Sequence, residues 1–226
     1  MKRKTFLIFA ASGLALSCGS YGFLRDVGSF FSAFVRDPGH VASVIPSSRF
    51  TSRAMSRQVS CTGAPVKILE LGAGTGPITT EIVKKMRGQD SLDLIEFNPD
   101  FCEILQKKFG AYKNVHIHCI SVFDWDPGYE YDFIISALPH NTFGKTFVGA
   151  LLEKYQRLIK PDGKLTYIEL ALMGKLKRAF LSGEKKIDYQ ETHDLIVNFR
   201  ERFFFQKETV LRNIPPAYVY HLKIKK

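Results

Sequence analysis

Two acids and three glycines carry the first chemical pattern in this chain of 226 residues. Glu70 stands just ahead of Gly72-Ala73-Gly74-Thr75-Gly76-Pro77, and Glu96 ends the run Leu92-Asp93-Leu94-Ile95-Glu96. Glycine tolerates positive φ and puts no Cβ between backbone and ligand. The free N–H groups of a helix starting at Pro77 favour an anion or a carboxylate. An acid about 20 residues beyond such a turn sits where a doubly wound sheet grips a ribose hydroxyl pair. The spacing is G-x-G-x-G and not the G-x-G-x-x-G of a dinucleotide turn. Each acid has a plainer alternative: Glu70 as a cap of the turn's N–H groups, Glu96 as a solvent-facing strand end. Phe97, next in the chain, is either core or a flat wall for a ring.

A second constellation is Ser136-Ala137-Leu138-Pro139-His140-Asn141, after the apolar run Tyr131–Ala137. A serine hydroxyl offers lone pairs to an amine. A histidine titrates near neutrality and suits proton transfer, although one beside a turn is more often a bystander. Metal chemistry has little support. Cys18, Cys61, Cys102 and Cys119 are scattered without a C-x-x-C pair, which predicts free thiols in a reducing compartment, with neither zinc nor disulfides. His116 and His118 alternate on an expected strand and share a face. Two ligands are fewer than the three or four of a zinc site.

These residues need strands and helices to hold them. Val66–Leu71 is a short apolar run of the kind buried on both faces. A helix follows from Pro77 to about Arg87, then a strand over Leu92–Glu96. Asn98-Pro99 opens the next helix, with Asn98 as cap, Pro99 at its first position and Phe101, Ile104, Leu105 and Phe109 on its buried face. Further strands are expected at Val115–Ile120, Tyr131–Ala137 and Lys164–Leu170. A helix at about Phe143–Ile159 ends before the turn Pro161-Asp162-Gly163. A lysine-rich connection from Lys175 to Lys186, a helix near His193–Phe199 and strands at Phe203–Leu211 and Tyr218–Ile224 close the chain. Alternating strands and helices predict an α/β Rossmann-like sheet with helices on both faces.

Net charge is +10, which favours an anionic partner. Residues 1–60 carry eight Lys/Arg against two Asp, so most of the excess precedes the core. Residues 1–24 read as Lys2-Arg3-Lys4 followed by an apolar segment: a shallow membrane anchor or a signal-like leader. It is barely long enough to span a bilayer. In residues 25–60, with Phe23 just ahead, Phe23, Val27, Phe30, Phe31, Phe34 and Val35 fall on one helical face. That face either packs on the protein or lies on lipid. Ser47 or Ser48 caps a polar helix with Arg53, Met55 and Arg57 beyond it. Ser60–Pro65 is the candidate boundary before a core domain over residues 61–226.

The phrases Glu70-Leu-Gly-Ala-Gly-Thr-Gly and Ile95-Glu96-Phe97-Asn98-Pro99 resemble the nucleoside site of class I S-adenosylmethionine (SAM) methyltransferases. Ile45-Pro46-Ser47-Ser48, Ser136-Ala137-Leu138-Pro139 and Asn213-Ile214-Pro215-Pro216-Ala217 resemble bacterial soluble-type phospholipid (phosphatidylethanolamine) N-methyltransferases, relatives of the rRNA adenine dimethyltransferases. The resemblance runs from about Phe30 to Lys223. It implies a seven-stranded, mostly parallel sheet with an antiparallel last strand, an N-terminal helical extension that lids the pocket, and SAM as co-substrate without a metal. It places Glu70, Gly72, Gly74, Gly76, Glu96, Phe97, Ser121 and Val122 around SAM. Ser136, Leu138, Pro139 and His140 fall in the loop that meets the methyl acceptor. The implied substrate is an aminophospholipid at an anionic membrane surface, reached by a monomer associated peripherally with the cytoplasmic face.

Two positions depart from the family pattern. The acid expected after strand three falls on Ser121, with Asp124 three residues on, and Ala137 replaces a glycine. Two other functions stay open. One is an rRNA or DNA adenine methyltransferase, motivated by the charge; its relatives usually carry Asn-x-Pro-[Tyr/Phe] after strand four. The other is a non-catalytic membrane-binding protein, against which the intact glycines and Glu96 argue.

Overall fold

A computed structural model describes residues 48–171, 181–213 and 216–226. The chain divides into two units, Met1–Ser43 and Val44–Lys226, and the description concerns the second. The expected leader at 1–24, the apolar face Phe23–Val35, Ser47 and the first half of the lysine-rich connection lie outside the described residues.

The elements are α1 (Arg49–Met55), β1 (Lys67–Leu71), α2 (Pro77–Val83), β2 (Ser91–Glu96), α3 (Pro99–Phe109), β3 (Val115–Cys119), β4 (Tyr131–Ser136), a 3-10 turn (His140–Thr142), α4 (Lys145–Leu158), β5 (Ile159–Leu170), α5 (Gly183–Phe203), β6 (Phe204–Val210) and β7 (Ala217–Lys223). The seven strands form one sheet in the order β3-β2-β1-β4-β5-β7-β6. Strands β1 to β5 pair in parallel, and β7 runs antiparallel to both β5 and β6. This is the Rossmann-like sheet expected from the sequence. Its order reverses between β1 and β4, and ligands of doubly wound sheets bind beyond the carboxyl ends of the strands at such a point. The Gly72 N–H donates to the Ile95 carbonyl and the Ala137 N–H to the Leu71 carbonyl, both at 2.9 Å, so the glycine loop and the loop after β4 leave the sheet side by side.

On one face Ile68, Leu92, Leu94, Ile135, Ile168 and Val219 join Ile78, Ile82, Leu105 and Phe109 in a continuous core. Burying each such side chain contributes roughly 1.5–3 kcal/mol before entropy is counted. The opposite face carries Ser136, Tyr167 and Tyr220 and is covered by α4 and α5.

The structure corrects four expectations. The helix after the glycine turn ends at Val83, because Lys85 and Met86 donate to Ile82 and Val83 in the tighter three-residue pattern. Pro161-Asp162-Gly163 does not precede β5. It forms an interruption inside it, where Asp162 takes φ 62° and pairing with β4 shifts register. The helix expected near His193–Phe199 spans Gly183–Phe203; its buried positions, Tyr189, Thr192, Ile196 and Phe203, are too sparse to show its full length as periodicity. The thiols are not all free. Cys102 on α3 and Cys119 at the end of β3 form a disulfide, with Cα atoms 5.9 Å apart. The β2–α3–β3 crossover brings them together across 17 residues, a separation that matches no motif. Cys61 is free and buried, and burial pushes its thiol up to about 11.

Helix α1 packs on the sheet. Ser48 caps it, accepting from the Thr51 N–H at 3.2 Å. Thr51, Ser52, Ala54 and Met55 are buried against α2 and β5–β7. Thr51 donates to Asn213 at 3.0 Å, tying α1 to the β6–β7 turn. Arg53 and Arg57 reach Glu81 and Glu208 at 3.6 and 2.7 Å.

Candidate functional site

The three glycines differ in what they do. All have positive φ: 72° at Gly72, 56° at Gly74 and 83° at Gly76. A Cβ on Gly76 would lie 2.4 Å from the Phe109 ring, so this glycine lets α2 and α3 meet. A Cβ on Gly72 would press on Leu138 at 3.0 Å, so this one lets the loop after β4 lie against the glycine turn. A Cβ on Gly74 would meet nothing within 4 Å. Gly74 is the position where the turn leaves room for a ligand beside its backbone.

Glu96 shapes that turn directly. Its carboxylate accepts from the Gly74 N–H at 2.8 Å and from the Phe97 and Asn98 N–H groups, both at 2.9 Å. The side chain thus joins the glycine turn to the start of α3, where Asn98 caps by accepting from the Asp100 N–H. Burial raises the Glu96 carboxyl above its ordinary value, against the pull of the three N–H groups. Phe97 is 36 % exposed, outside the core.

Glu70 is wholly buried on β1. Its Oε2 accepts from the Thr79 hydroxyl at 2.8 Å, and its Oε1 has no partner in the protein. Burial pushes this carboxyl up to about 8. A buried carboxylate oxygen without a partner, next to a turn with an open backbone position, fits a cationic or hydrogen-bonding group of a nucleoside ligand. Val122 is buried, and Ser121 uses its Oγ to accept from the Phe123 N–H in the turn after β3.

The loop after β4 rests on a buried chain of hydrogen bonds. Tyr155 of α4 donates its hydroxyl to Ser136 Oγ at 2.7 Å, and Ser136 Oγ also accepts from the Leu138 N–H at 3.3 Å. Nε2 of His140 lies 2.9 Å from the Tyr155 oxygen. With the tyrosine proton committed to Ser136, Nε2 is the donor, and Nδ1 is left without a partner. Ser136 and His140 are 0 % and 1 % exposed. Burial pushes the imidazole down to about 4. Leu138 is buried over Gly72, and the Pro139 carbonyl accepts from the Thr142 hydroxyl at 2.7 Å. The four residues fall in one loop, where the Ser136 oxygen is engaged by Tyr155 and the imidazole is neutral and enclosed. Burial works against a base role for His140, since an enclosed imidazole has little affinity for the proton it would have to take.

Sequence reasoning missed Thr79, which fixes Glu70 from the first turn of α2, and Tyr155, which joins Ser136 to His140 from the last turn of α4. Each lies on a different element from its partner, and no motif marks it. Among the described residues no cluster of three or more His, Cys, Asp or Glu could hold a metal ion. His118 instead meets Asp93 at 2.8 Å and packs on Trp125.

Residues 68–163 match the family model described as a methyltransferase domain. The ornithine lipid N-methyltransferase of Singulisphaera acidiphila is 29 % identical over 205 residues, covering 87 % of this chain and 95 % of that protein. Among solved structures, the N-methyltransferase NodS from Bradyrhizobium japonicum WM9 superposes with a TM-score of 0.58 at 11 % identity, over 79 % of this chain and 94 % of that one. The 1,6-didemethyltoxoflavin-N1-methyltransferase of Burkholderia thailandensis, solved with S-adenosylhomocysteine, gives 0.58 at 16 % identity, over 96 % and 94 %. The two structural likenesses concern the fold.

Proposed function

We propose that this chain, similar to SAM-dependent methyltransferases in its family match and its relatives, N-methylates the amine of an aminolipid head group at a membrane surface. What supports this reading is the likeness to ornithine lipid N-methyltransferase along nearly the whole of both chains. Phosphatidylethanolamine is the head group favoured by the sequence phrases around Ser48, Ser136 and Asn213.

SAM, when bound, supplies a methyl group already activated on a sulfonium. The residues present fit it. Glu96 and the Gly74 backbone would hold the ribose side, Phe97, Ser121 and Val122 the adenine side, and the unpartnered Glu70 oxygen a polar group of the amino-acid portion. Transfer in a pre-oriented pair needs little further chemistry from the protein, since orientation supplies much of the rate. Ser136, Leu138, Pro139 and His140 then act by fixing the acceptor loop through Tyr155 and Gly72. The amine must be neutral to react, and its proton leaves to water or to an acceptor other than the enclosed His140.

A lipid substrate requires the enzyme to reach the bilayer. Among the described residues no helix is long and apolar enough to cross a membrane. Docking would rest on the segment before α1 and on Phe50 and Leu211, 43 % and 74 % exposed and flanked by Arg49 and Arg212. Basic side chains near an anionic leaflet contribute roughly 1 kcal/mol each.

The test is transfer of label from SAM to vesicles holding phosphatidylethanolamine or ornithine lipid, with rRNA as a parallel substrate. Label in a lipid amine supports the reading. Label in RNA alone overturns it.

A further inference from the structure

Glu169 and Arg200 form an ion pair that the methyl-transfer machinery leaves unused. Glu169 is the penultimate residue of β5, and Arg200 reaches it from the last turn of α5. One guanidinium nitrogen lies 3.4 and 3.5 Å from the two carboxylate oxygens. Charge-assisted bonds are normally shorter, about 2.7–2.9 Å, so the pair is loosely closed. The side chains keep 18 % and 17 % of their surface exposed, so neither is sealed in the core.

The position is informative. Pairing of β4 with β5 ends at Ser136 opposite Tyr167. Glu169 therefore lies two residues beyond the end of β4, on the face that carries Tyr167 and Ser136. Helix α5, which supplies Arg200, packs against the 3-10 turn of the acceptor loop. Tyr167 meets His140 edge-on at 4.9 Å and stacks on Tyr220 at 5.3 Å. Ring faces hold the neighbouring cations in place: Arg200 lies 4.4 Å from the Tyr220 centroid, and Lys207 lies 3.6 Å from that of Tyr218, the residue opposite Glu169. Burial still raises the Glu169 carboxyl above its ordinary value, so the two cations compensate its desolvation only in part.

We propose that Glu169 and Arg200 form a subsite for a zwitterionic head group, its ammonium meeting Glu169 and its acidic group meeting Arg200. The proposal rests on the aminolipid reading above and names the chemistry that reading leaves open. An ion pair can exchange partners with a second ion pair without leaving a buried charge alone, whereas a simple amine would leave Arg200 unpaired at a partly buried position. Phosphoethanolamine and ornithine head groups share this chemistry, one with a phosphodiester and the other with a carboxylate beside the amine.

The experiment uses the full chain, SAM, and three acceptors in mixed micelles: phosphatidylethanolamine, ornithine lipid and dodecylamine, which has no acidic group. Glu169→Gln should raise KM for the preferred zwitterionic lipid at least tenfold while leaving the Kd for SAM within twofold. Arg200→Gln should raise the same KM by a similar factor but leave KM for dodecylamine within twofold. The exchanged pair Glu169→Arg with Arg200→Glu separates ligand binding from a structural role. It keeps an ion pair between α5 and β5, so it should restore thermal stability but not KM. Wild-type KM in Glu169→Gln, or in the exchanged pair, overturns the proposal and leaves the aminolipid reading standing. Failure of the wild-type protein to methylate any of the three removes both. Whichever zwitterionic lipid shows the lower KM identifies the source of the head group.

Discussion

The Tyr155 hydroxyl donates to Ser136 Oγ at 2.7 Å, and this contact links the last turn of α4 to the last residue of β4 beneath the loop that follows it. Tyr155→Phe removes the donor and leaves Ser136 and His140 buried with one partner fewer. Such a loss costs about 1–3 kcal/mol. The expected outcome is a lower melting temperature and a fall in kcat of tenfold or more, with SAM affinity within twofold by calorimetry. Equal loss of SAM affinity and turnover would mean that the network supports the whole site and not the loop.

Glu96 offers a sharper test than a simple contact deletion. Glu96→Ala releases the N–H groups of Gly74, Phe97 and Asn98 together, and hydrogen bonds to a charged group are worth about 1.5–3 kcal/mol each. SAM affinity should fall at least tenfold. Glu96→Gln keeps one carbonyl oxygen for these donors and should fall between alanine and wild type. Calorimetric titration of both variants measures the order; unchanged affinity in the alanine variant would remove Glu96 from the cofactor site.

The glycines should separate in their effects. Gly76→Ala places a Cβ against Phe109 and requires a side chain at φ 83°, so it should lower stability by more than the roughly 1 kcal/mol of left-handed strain alone. Gly74→Ala meets no protein atom. It should cost only about the strain in thermal unfolding but weaken SAM binding strongly. Equal destabilisation by the two variants would mean that Gly74 has no special relation to a ligand.

Two buried groups make stability depend on pH in opposite directions. Glu70 is raised from 4.5 to about 8. Between those values the unfolded chain has lost the proton that the folded one keeps, so stability falls as pH rises, by up to about 5 kcal/mol. Glu70→Gln should remove this slope and raise the melting temperature at pH 8 while weakening SAM binding. His140 is lowered from 6.5 to about 4. Between those values the unfolded chain binds the extra proton, so stability falls as pH falls, by roughly 3 kcal/mol. His140→Gln should flatten the acid side. Melting curves from pH 4 to pH 9 measure both; unchanged slopes would show that neither group is desolvated as described.

The sequence by itself determined the parallel strands of the sheet and the glycine turn. Alternating apolar runs and helix signals are local, so β1 to β4, α3 with its Asn98 cap, and the G-x-G-x-G turn between Glu70 and Glu96 are legible residue by residue. The loop Ser136–His140 is legible as a location for the same reason. Only the tertiary structure decided what its side chains do. Whether the Ser136 hydroxyl faces a ligand or Tyr155 depends on how α4 lies on the sheet, and the proton affinity of His140 depends on its burial, which no local pattern encodes. The Cys102–Cys119 bond, the Thr79 support for Glu70 and the Glu169–Arg200 pair are likewise tertiary. Each joins residues on separate elements, and such pairings are set by the packing of helices on the sheet.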